Sequence, residues 1–340
     1  EYHKNIKIYR VPIIPRGSNA LFLILNYLSF LVSGSFFAFF HKEKYDKVFA
    51  VNFSPITSVI PAIVYAKKNS VKLYLWVQDL WPESVSAGAK INSKILLFFL
   101  TKLVKYIYNN SHKILVQSKG FIESILEKKI SKKKIFYLPN WAEDLYFVNS
   151  QKDKYYDLMP KGFIVMFAGN VGEGQDFDSI VKAVQLTKKE EVIKWVIVGD
   201  GRKMSWLKQQ IKNLGLEKNM ILLGRHPVTE MPDFFIHANI MLLTLKREKI
   251  FSLTIPSKVQ SYMAFGKPII GMLDGAGAKI INDSNCGFHG SAGDYKMLYE
   301  NVMLAFNEAS ISLSEKGLNG KRFYQENFSK NRVIESLIKV

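Results

Sequence analysis

Short apolar runs alternate along the chain with longer stretches in which apolar residues recur every three or four positions. The short runs have the length of buried strands, and the longer stretches have the period of helices. Strands separated by helices of this length are typical of parallel β-α-β units. The predicted strands are 48–52, 72–77, 113–117, 135–138, 163–167, 194–198, 220–223, 240–244 and 268–272. The clearest predicted helices are 94–109, 119–129, 176–188, 202–214, 229–236, 257–265 and 275–283.

The pattern falls into two sets, because residues 149–161 (NSQKDKYYDLMPK) lose the apolar period and predict a linker. It predicts an α/β fold of two Rossmann-like, doubly wound lobes facing a cleft, with ligands bound outside the carboxyl ends of the strands. We expect an N-terminal lobe at 1–148, a C-terminal lobe at 149–325, and a C-terminal helix at 326–340 that returns to the N-terminal lobe. Residues 6–11 (IKIYRV) predict a strand inside a sheet, so we expect one or two further β-α units upstream.

Two stretches of the first half are apolar enough to meet a membrane. Residues 21–40 (LFLILNYLSFLVSGSFFAFF) carry no charge and are about as long as a membrane-spanning helix. Residues 94–108 mix Leu and Phe with Lys94, Lys102 and Lys105 near one helical face, which is typical of a helix on an anionic membrane surface. The polar residues within the first stretch argue against a helix that spans the membrane. The sequence therefore predicts peripheral binding, with a true span or an ordinary core helix as alternatives.

The charge of the chain also favours an anionic partner. Its 340 residues include 47 Lys and Arg against 29 Asp and Glu, a formal net charge of +18. Residues 1–148 hold 21 of the basic and 9 of the acidic residues, a net charge of +12. Such an excess suits a phosphorylated substrate, an anionic membrane surface or nucleic acid. We expect no nucleic acid, because the aromatic residues lie in apolar runs and lysine dominates over arginine.

Composition excludes several classes of protein. Hydrophobic residues make up 48% of the chain, too many for a disordered protein. The single cysteine, Cys286, excludes a disulfide framework and a cysteine-based zinc site, and it fits a reducing cytosol. The six histidines show no metal-ligand spacing.

The strongest local signal is the run FAGNVGEGQ at 167–175, which follows a predicted strand and precedes a predicted helix. Glycines such as Gly169 and Gly172 let the backbone approach a ligand. The amides of this loop, that of Asn170 included, favour phosphate near the start of the helix. The sequence predicts a phosphate-binding loop here, and a plain turn is the alternative.

Two cationic residues stand after later strands of the same half. Arg225 lies beside His226 in the run LGRHP at 223–227, where its guanidinium can bind phosphate. A surface arginine is the alternative. Lys258 stands in the first turn of the helix predicted at 257–265, and we expect it to face the cleft together with the first-turn amides.

In the first half, the run WVQDLWPES at 76–84 ends a predicted strand and carries two carboxylates, Asp79 and Glu83. Each can act as a base or bind hydroxyls at the edge of the cleft. The alternatives are a helix cap for Asp79 and a first-turn position for Glu83 that the helix dipole favours. We favour a catalytic role for Asp79, which we expect to face the loop 169–172, and a structural role for Glu83, with an acceptor-side role as the alternative.

Together these runs resemble retaining glycosyltransferases of family 4, which have the GT-B fold. The chain is most similar to bacterial transferases of O-antigen or capsule assembly, of the N-acetyl-L-fucosaminyltransferase type. The resemblance spans about residues 8–330 and is carried by WVQDLWPES, FAGNVGEGQ, GDG at 199–201, LGRHP and IPSKVQSYMAFGKPII at 255–270. The first and last of these runs are specific to this branch, and the others are shared by the fold.

The resemblance implies transfer, with retention, of a sugar such as N-acetyl-L-fucosamine from a UDP-sugar to a lipid-linked acceptor of the undecaprenyl-diphosphate type. It implies peripheral attachment at the cytoplasmic face of the inner membrane. We expect no cofactor and no metal, since cationic side chains and backbone amides can stabilise the departing diphosphate. The residues that would contact the donor are Gly169, Asn170, Gly172, Arg225, His226, Lys258 and Ser261.

The chain departs from the family pattern at three positions. The two glutamates of its E-x7-E pair should fall near Leu253 and Ser261, and Ser261 stands where the second glutamate usually holds the donor ribose. Gly174 stands where a lysine is common, so we expect Arg225 and Lys258 to supply the positive charge. Two other functions stay open. A sugar-nucleotide epimerase uses two such lobes but needs more carboxylates and histidines, and a membrane-bound scaffold would keep only a vestigial cleft.

Overall fold

The computed structural model describes residues 1–17, 19–85, 93–147 and 152–340. These residues form two α/β units, Glu1–Leu138 and Pro139–Lys339. Each unit contains a parallel sheet with helices packed on it, so the predicted fold class is confirmed. The predicted strands of both sheets agree with the observed ones to within one residue at each end.

The first unit has a parallel sheet of four described strands in the order β3-β4-β5-β6. Central strand β4 has the sequence KLYLWV, and its Leu75 and Val77 are fully buried. The strands are β3 (Lys47–Asn52), β4 (Lys72–Val77), β5 (Lys113–Val116) and β6 (Ile135–Tyr137). The helices of this unit include Ala20–Phe40, Ile60–Asn69, Lys94–Asn110 and Phe121–Glu127.

The second unit has a parallel sheet of six described strands in the order β12-β11-β10-β7-β8-β9. Every residue of β7 is buried, because helices cover both faces, and its side chains alternate between the two cores. The strands are β7 (Phe163–Ala168), β8 (Ile193–Val198), β9 (Met220–Gly224), β10 (Ile240–Thr244), β11 (Ile269–Met272) and β12 (Gly287–Gly290). The helices include Phe177–Leu186, Met204–Leu214, Met231–Phe235, Lys249–Leu253, Ser257–Phe265, Ala276–Ser284, Tyr295–Asn307, Ser310–Asn327 and Lys330–Ile338.

One predicted strand is wrong. Residues 6–11 do not join the sheet: Ile6–Lys7 (β2) pairs only with Tyr2–His3 (β1), in a short antiparallel hairpin. Both strands are exposed, and the Lys7 ammonium forms an ion pair with Glu43. An alternation of apolar and charged residues is equally typical of a hairpin that lies on the surface.

The second unit begins earlier than the sequence predicts. Ala142 and Tyr146 are buried in its core, where the Ala142 amide donates a hydrogen bond of 3.1 Å to the Tyr324 hydroxyl. The Tyr146 ring stacks on Phe235, with the ring centroids 5.5 Å apart. The boundary predicted at 148–149 itself lies outside the described residues.

The described part of the predicted linker has structure of its own. Residues 149–151 lie outside the described residues, and Lys152–Leu158 forms 3-10 turns. Tyr155 stacks on Phe234 with the ring centroids 4.1 Å apart, so this segment packs on the second unit. The predicted C-terminal helix forms at Lys330–Ile338, also within the second unit.

Candidate functional site

A cavity of about 800 Å³ opens in the second unit at the carboxyl ends of β7, β8 and β9. This is the edge at which open parallel sheets bind their ligands, and the volume is in the range of small-molecule sites. All of the described residues that line the cavity belong to the second unit. Its lining residues are Glu143, Tyr146, Ala168, Gly169, Asn170, Val198, Gly199, Asp200, Gly201, Arg225, His226, Val228, Met231, Phe235, Ser257, Lys258, Ser261 and Tyr262.

Glycines allow the loops after β7 and β8 to meet backbone to backbone. Gly169 has φ +136° and Gly199 has φ +150°, a region that L side chains rarely adopt. A Cβ atom on Gly199 would lie 1.9 Å from the carbonyl oxygen of Gly169. The Val171 amide also donates a hydrogen bond of 2.9 Å to the Asp200 carbonyl. The two loops therefore form one continuous backbone wall of the cavity.

The Lys258 side chain lies across this wall. Its Nζ donates a hydrogen bond of 2.8 Å to Oε1 of Gln175 and stands 3.6 Å from the centroid of the Phe167 ring. A Cβ atom on Gly169 would approach Cε of Lys258 to 2.7 Å, so the loop glycine makes room for the lysine.

Lys258 forms no ion pair with any residue that the structure describes. Burial lowers the pKa of its ammonium to about 7. A desolvated ammonium whose neighbours are an amide oxygen and an aromatic ring lacks a counter-ion. The site is thereby suited to an anionic ligand that enters the cavity.

Arg225 and His226 both line the cavity after β9, but their side chains differ in the contacts they make with other residues. Arg225 is exposed and forms no ion pair within the described ranges. His226 is held at both ring nitrogens: Nδ1 lies 3.3 Å from Oε2 of Glu230, and Nε2 lies 3.2 Å from the Leu223 carbonyl oxygen. The Tyr155 hydroxyl donates a hydrogen bond of 2.6 Å to the same carboxylate oxygen. Arg225 is therefore available to a ligand, whereas the His226 ring is already engaged.

Of the other predicted donor-site residues of the second unit, some line the cavity and one does not. Asn170 and Ser261 line the cavity, whereas Gly172 is not among its lining residues and packs against the Asn170 side chain. A Cβ atom on Gly174 would come within 2.8 Å of the Phe251 ring, so a lysine at this position would displace that ring. Gln175, one residue further on, reaches Lys258 instead.

Asp79 belongs to the first unit, where it joins the ends of β3 and β4. Its Oδ2 accepts hydrogen bonds of 3.0 Å from the Ser54 amide and 2.9 Å from the Ser54 hydroxyl. The Asn52 side-chain amide donates a further hydrogen bond, of 3.1 Å, to the Asp79 carbonyl. The carboxylate therefore orders the loop after β3, and these contacts do not make it a helix cap. Its catalytic role stays a prediction.

Glu83 is tied into the first unit by a partly buried ion pair. It accepts hydrogen bonds of 2.7 Å from Lys128 Nζ and 2.6 Å from the Ser124 hydroxyl. Burial raises the pKa of the Glu83 carboxyl, but the hydrogen bonds from Lys128 and Ser124 outweigh it and leave the pKa below its usual value. These contacts support the structural role expected for Glu83, and its acceptor-side role stays a prediction.

Three residues of the site were not predicted from the sequence. Glu143 and Tyr146 stand in the segment PNWAEDLYF, which has the composition of a loop and lies far from the glycine run. Gln175 stands at the end of that run, where only its contact with Lys258 distinguishes it from a surface residue. Among the described residues, no group of three His, Cys, Asp or Glu side chains is placed to hold a metal ion.

The site lies in the part of the chain that matches a known family. Residues 148–317, half of the chain, match the family described as glycosyl transferases group 1. The chain belongs to this family. The resemblance expected from the sequence is confirmed at this level.

Two curated relatives extend the similarity into the first unit. The chain is 28% identical to WbjE of Pseudomonas aeruginosa over 275 residues, and the alignment covers 78% of this chain and 66% of WbjE. WbjE carries the name of a glycosyltransferase. The chain is 23% identical over 272 residues to WcaI of Escherichia coli, which is named for colanic acid biosynthesis, with 76% of this chain and 65% of WcaI covered. The chain spans just under two thirds of the length of these relatives.

A solved structure has the same fold. HepE of Anabaena, solved in complex with UDP and glucose, superposes on this chain with a TM-score of 0.72. The match covers 96% of this chain and 83% of HepE, at 13% sequence identity. At this identity the likeness shows the GT-B-type α/β fold alone.

Proposed function

We propose that this chain is a glycosyltransferase that uses a UDP-sugar as donor and transfers the sugar with retention. The observation that carries the proposal is the Lys258 ammonium, which lies against the Gly169 backbone in a cavity of suitable size and forms no ion pair with the described residues. A nucleoside diphosphate supplies the negative charge that this ammonium lacks. HepE, which has the same fold, was solved with UDP and glucose bound.

The donor side of the reaction follows from the charges of the cavity. When the anomeric bond breaks, negative charge develops on the departing diphosphate and positive charge on the sugar ring. Lys258, Arg225 and the amides beside Gly169 stabilise the diphosphate, because donors that are already oriented need no rearrangement as the charge develops. We propose that these groups act without a divalent ion.

The acceptor side of the reaction belongs to the first unit. Retention requires the acceptor hydroxyl to approach from the face that the diphosphate leaves. The Asp79 carboxylate orients this hydroxyl, and the leaving phosphate oxygen shares the task of accepting its proton. The hydrogen bonds from Ser54 fix the direction in which this carboxylate points.

The sugar transferred is an N-acetylated deoxyhexosamine such as N-acetyl-L-fucosamine, and the acceptor is a sugar linked to undecaprenyl diphosphate during O-antigen or capsule synthesis. This finer assignment rests on the runs at 76–84 and 255–270. The name of WcaI, which refers to colanic acid biosynthesis, is consistent with a role in the assembly of a polysaccharide.

The enzyme attaches peripherally to the cytoplasmic face of the inner membrane through its first unit. The helix Ala20–Phe40 is long and apolar enough to cross a membrane, and its Val32 and Phe36 are 68% and 67% exposed. The helix Lys94–Asn110 also exposes large apolar side chains, including Phe98 and Phe99. Exposed apolar side chains beside lysines suit the interface of an anionic membrane.

The test is an assay of the chain with UDP-N-acetylhexosamines and a synthetic polyprenyl-diphosphate-linked sugar. Release of UDP only in the presence of the lipid acceptor is the expected result, and the anomeric configuration of the product by NMR tests retention. The Lys258→Met variant should lose activity while its thermal unfolding stays cooperative. Interconversion of nucleotide sugars without acceptor would indicate an epimerase, and no binding of any nucleotide sugar would indicate a scaffold.

A further inference from the structure

The cavity contains a carboxylate that the donor site described so far does not use. Glu143 lines the cavity, is exposed, and forms no ion pair with any described residue. Asp200 is the other carboxylate of the lining, but its Oδ1 already accepts a hydrogen bond of 2.7 Å from the Gly201 amide. Among the described lining residues, Glu143 is therefore the carboxylate with both oxygens open to a ligand.

The backbone at Glu143 is held firmly. Its carbonyl oxygen accepts a hydrogen bond of 3.2 Å from the Tyr146 amide, and the preceding amide, of Ala142, donates to the Tyr324 hydroxyl. The Tyr146 ring is stacked on Phe235 within the core of the unit. A carboxylate that is presented from such an anchored turn loses little freedom when it binds a ligand.

Glu143 lines the same cavity as Ser261, the position where the sequence lacks an expected carboxylate. Tyr146 and Ser261 line the same cavity as Glu143, and the Ser261 hydroxyl donates a hydrogen bond of 3.4 Å to the Ser257 carbonyl. Burial raises the pKa of Tyr146 to about 12, so its hydroxyl stays protonated. Glu143, Tyr146 and Ser261 all line the cavity and are named its polar wall, of which Glu143 is the charged member.

The position of this wall follows from the helix Ser257–Phe265. Lys258 and Ser261 are three residues apart, so they share a face of the helix, and Ser261 lies about 4.5 Å further along the axis. In a nucleoside diphosphate the ribose is attached directly to the α-phosphate. When Lys258 holds the phosphates, the ribose can lie one helical turn further on, beside Ser261 and the polar wall.

We infer that Glu143 binds the ribose of the donor nucleotide, its carboxylate accepting hydrogen bonds from the 2′- and 3′-hydroxyls. A carboxylate is the group that recognises ribose hydroxyls in other α/β nucleotide sites. The ligand class is therefore a ribonucleoside diphosphate, and Glu143 makes the site discriminate against the 2′-deoxy form. This inference rests on the proposed function, since it assumes that a nucleotide occupies the cavity.

Calorimetric titration of the full chain with UDP and with 2′-deoxy-UDP tests the inference. The wild type should prefer UDP. Glu143→Ala should weaken UDP binding by about 10- to 100-fold, the effect of losing charge-assisted hydrogen bonds, and should bring the two nucleotides to about equal affinity. The matched control is Asp144→Asn, because Asp144 is the adjacent carboxylate, pairs with Lys330 and does not line the cavity. It should keep the wild-type preference.

The outcomes separate this inference from the proposal on which it rests. If Glu143→Ala keeps the wild-type preference for UDP, or weakens both nucleotides equally, the assignment of Glu143 to the ribose is overturned and the donor site stands. If the wild type binds no UDP, that result would contradict both the assignment of Glu143 and the proposed donor site. Ser261→Glu in the Glu143→Ala background returns a carboxylate to the same wall, and a restored preference for UDP would support ribose binding there.

Discussion

At the scale of single residues, we propose that donor binding depends on Lys258 together with Arg225. Replacing Lys258 with Met keeps the length and apolar packing of the side chain on Phe167 and removes the charge. We expect Lys258→Met to weaken UDP binding by about 1–3 kcal/mol, and Arg225→Ala by an amount in the same range, as for other charge-assisted contacts. Calorimetric titration with UDP measures both variants.

The control for these variants is Lys246→Met. Lys246 lies near the glycine run, but it pairs with Glu173 at 2.9 Å and is not among the lining residues of the cavity. Its replacement should leave the UDP affinity unchanged. Unchanged affinity in both Lys258→Met and Arg225→Ala would contradict the assignment of the diphosphate to this cavity.

Lys258 should also make donor binding depend on pH. Burial lowers the pKa of its ammonium to about 7 in the empty site, and a bound diphosphate raises it again by favouring the charged form. We therefore expect UDP to bind the form with protonated Lys258, and its affinity should fall as the pH rises from about 7 to about 9, by at most tenfold per pH unit. Titrations across this range in wild type and Lys258→Met check it. An equal slope in the variant would assign the effect to another group.

At the scale of elements, Asp79 joins the carboxyl ends of β3 and β4 through Ser54. Asp79→Asn keeps the size of the side chain and one acceptor oxygen but removes the charge. We expect turnover to fall by about 10²–10⁴-fold, the contribution of a positioned acid or base, while UDP affinity stays nearly unchanged. Steady-state kinetics with the lipid acceptor and calorimetry with UDP measure the two quantities. Near-full activity would leave Asp79 with only its role in the loop.

The ion pair between Glu83 and Lys128 should stabilise the first unit. The Lys128 side chain is only 7% exposed, and Glu83→Gln would leave its ammonium without a counter-ion. We expect a loss of about 1–3 kcal/mol in the free energy of unfolding, with turnover retained. The folded pKa of Glu83 is lowered, so this stabilisation is present above the ordinary carboxyl pKa and is lost as the pH falls through the folded value. Urea unfolding at neutral and acidic pH tests both statements.

For the whole molecule, the basic first unit predicts salt-sensitive binding to membranes. The Debye length shrinks from about 10 Å at 0.1 M salt to about 3 Å at 1 M, so flotation with anionic liposomes should weaken over this range. At a given salt concentration, Phe36→Ser should float less than the wild type, because the exposed Phe36 side chain would contact the membrane. Ile311→Ser is the matched control: Ile311 is also exposed but belongs to the second unit. Attachment that resists high salt and alkaline extraction would indicate a true span.

The sequence by itself determined the class of the fold and nine of the ten described parallel strands, but not β12 (Gly287–Gly290). Runs such as KLYLWV and FIVMFA are apolar because helices cover both faces of a parallel sheet, and this local requirement is visible without the structure. The glycine run and the cationic positions 225 and 258 could also be found, since loops at the carboxyl ends of such strands carry the ligand. The strand predicted at residues 6–11 is wrong, because periodicity does not reveal what a short run packs against, and Ile6–Lys7 pairs with Tyr2–His3 in a surface hairpin.

Only the tertiary structure decided which of these side chains share a cavity and which of them remain available to a ligand. His226 and Lys258 are both predicted donor-site residues, but Glu230 and the Leu223 carbonyl engage the His226 ring, whereas the Lys258 ammonium donates to Gln175 and has no counter-ion among the described residues. Glu143 is far from Ser261 along the chain, and packing of the turn at Tyr146 on Phe235 brings both to one wall. Contacts between residues distant in sequence depend on how the elements pack, and the local pattern of the chain does not encode that packing.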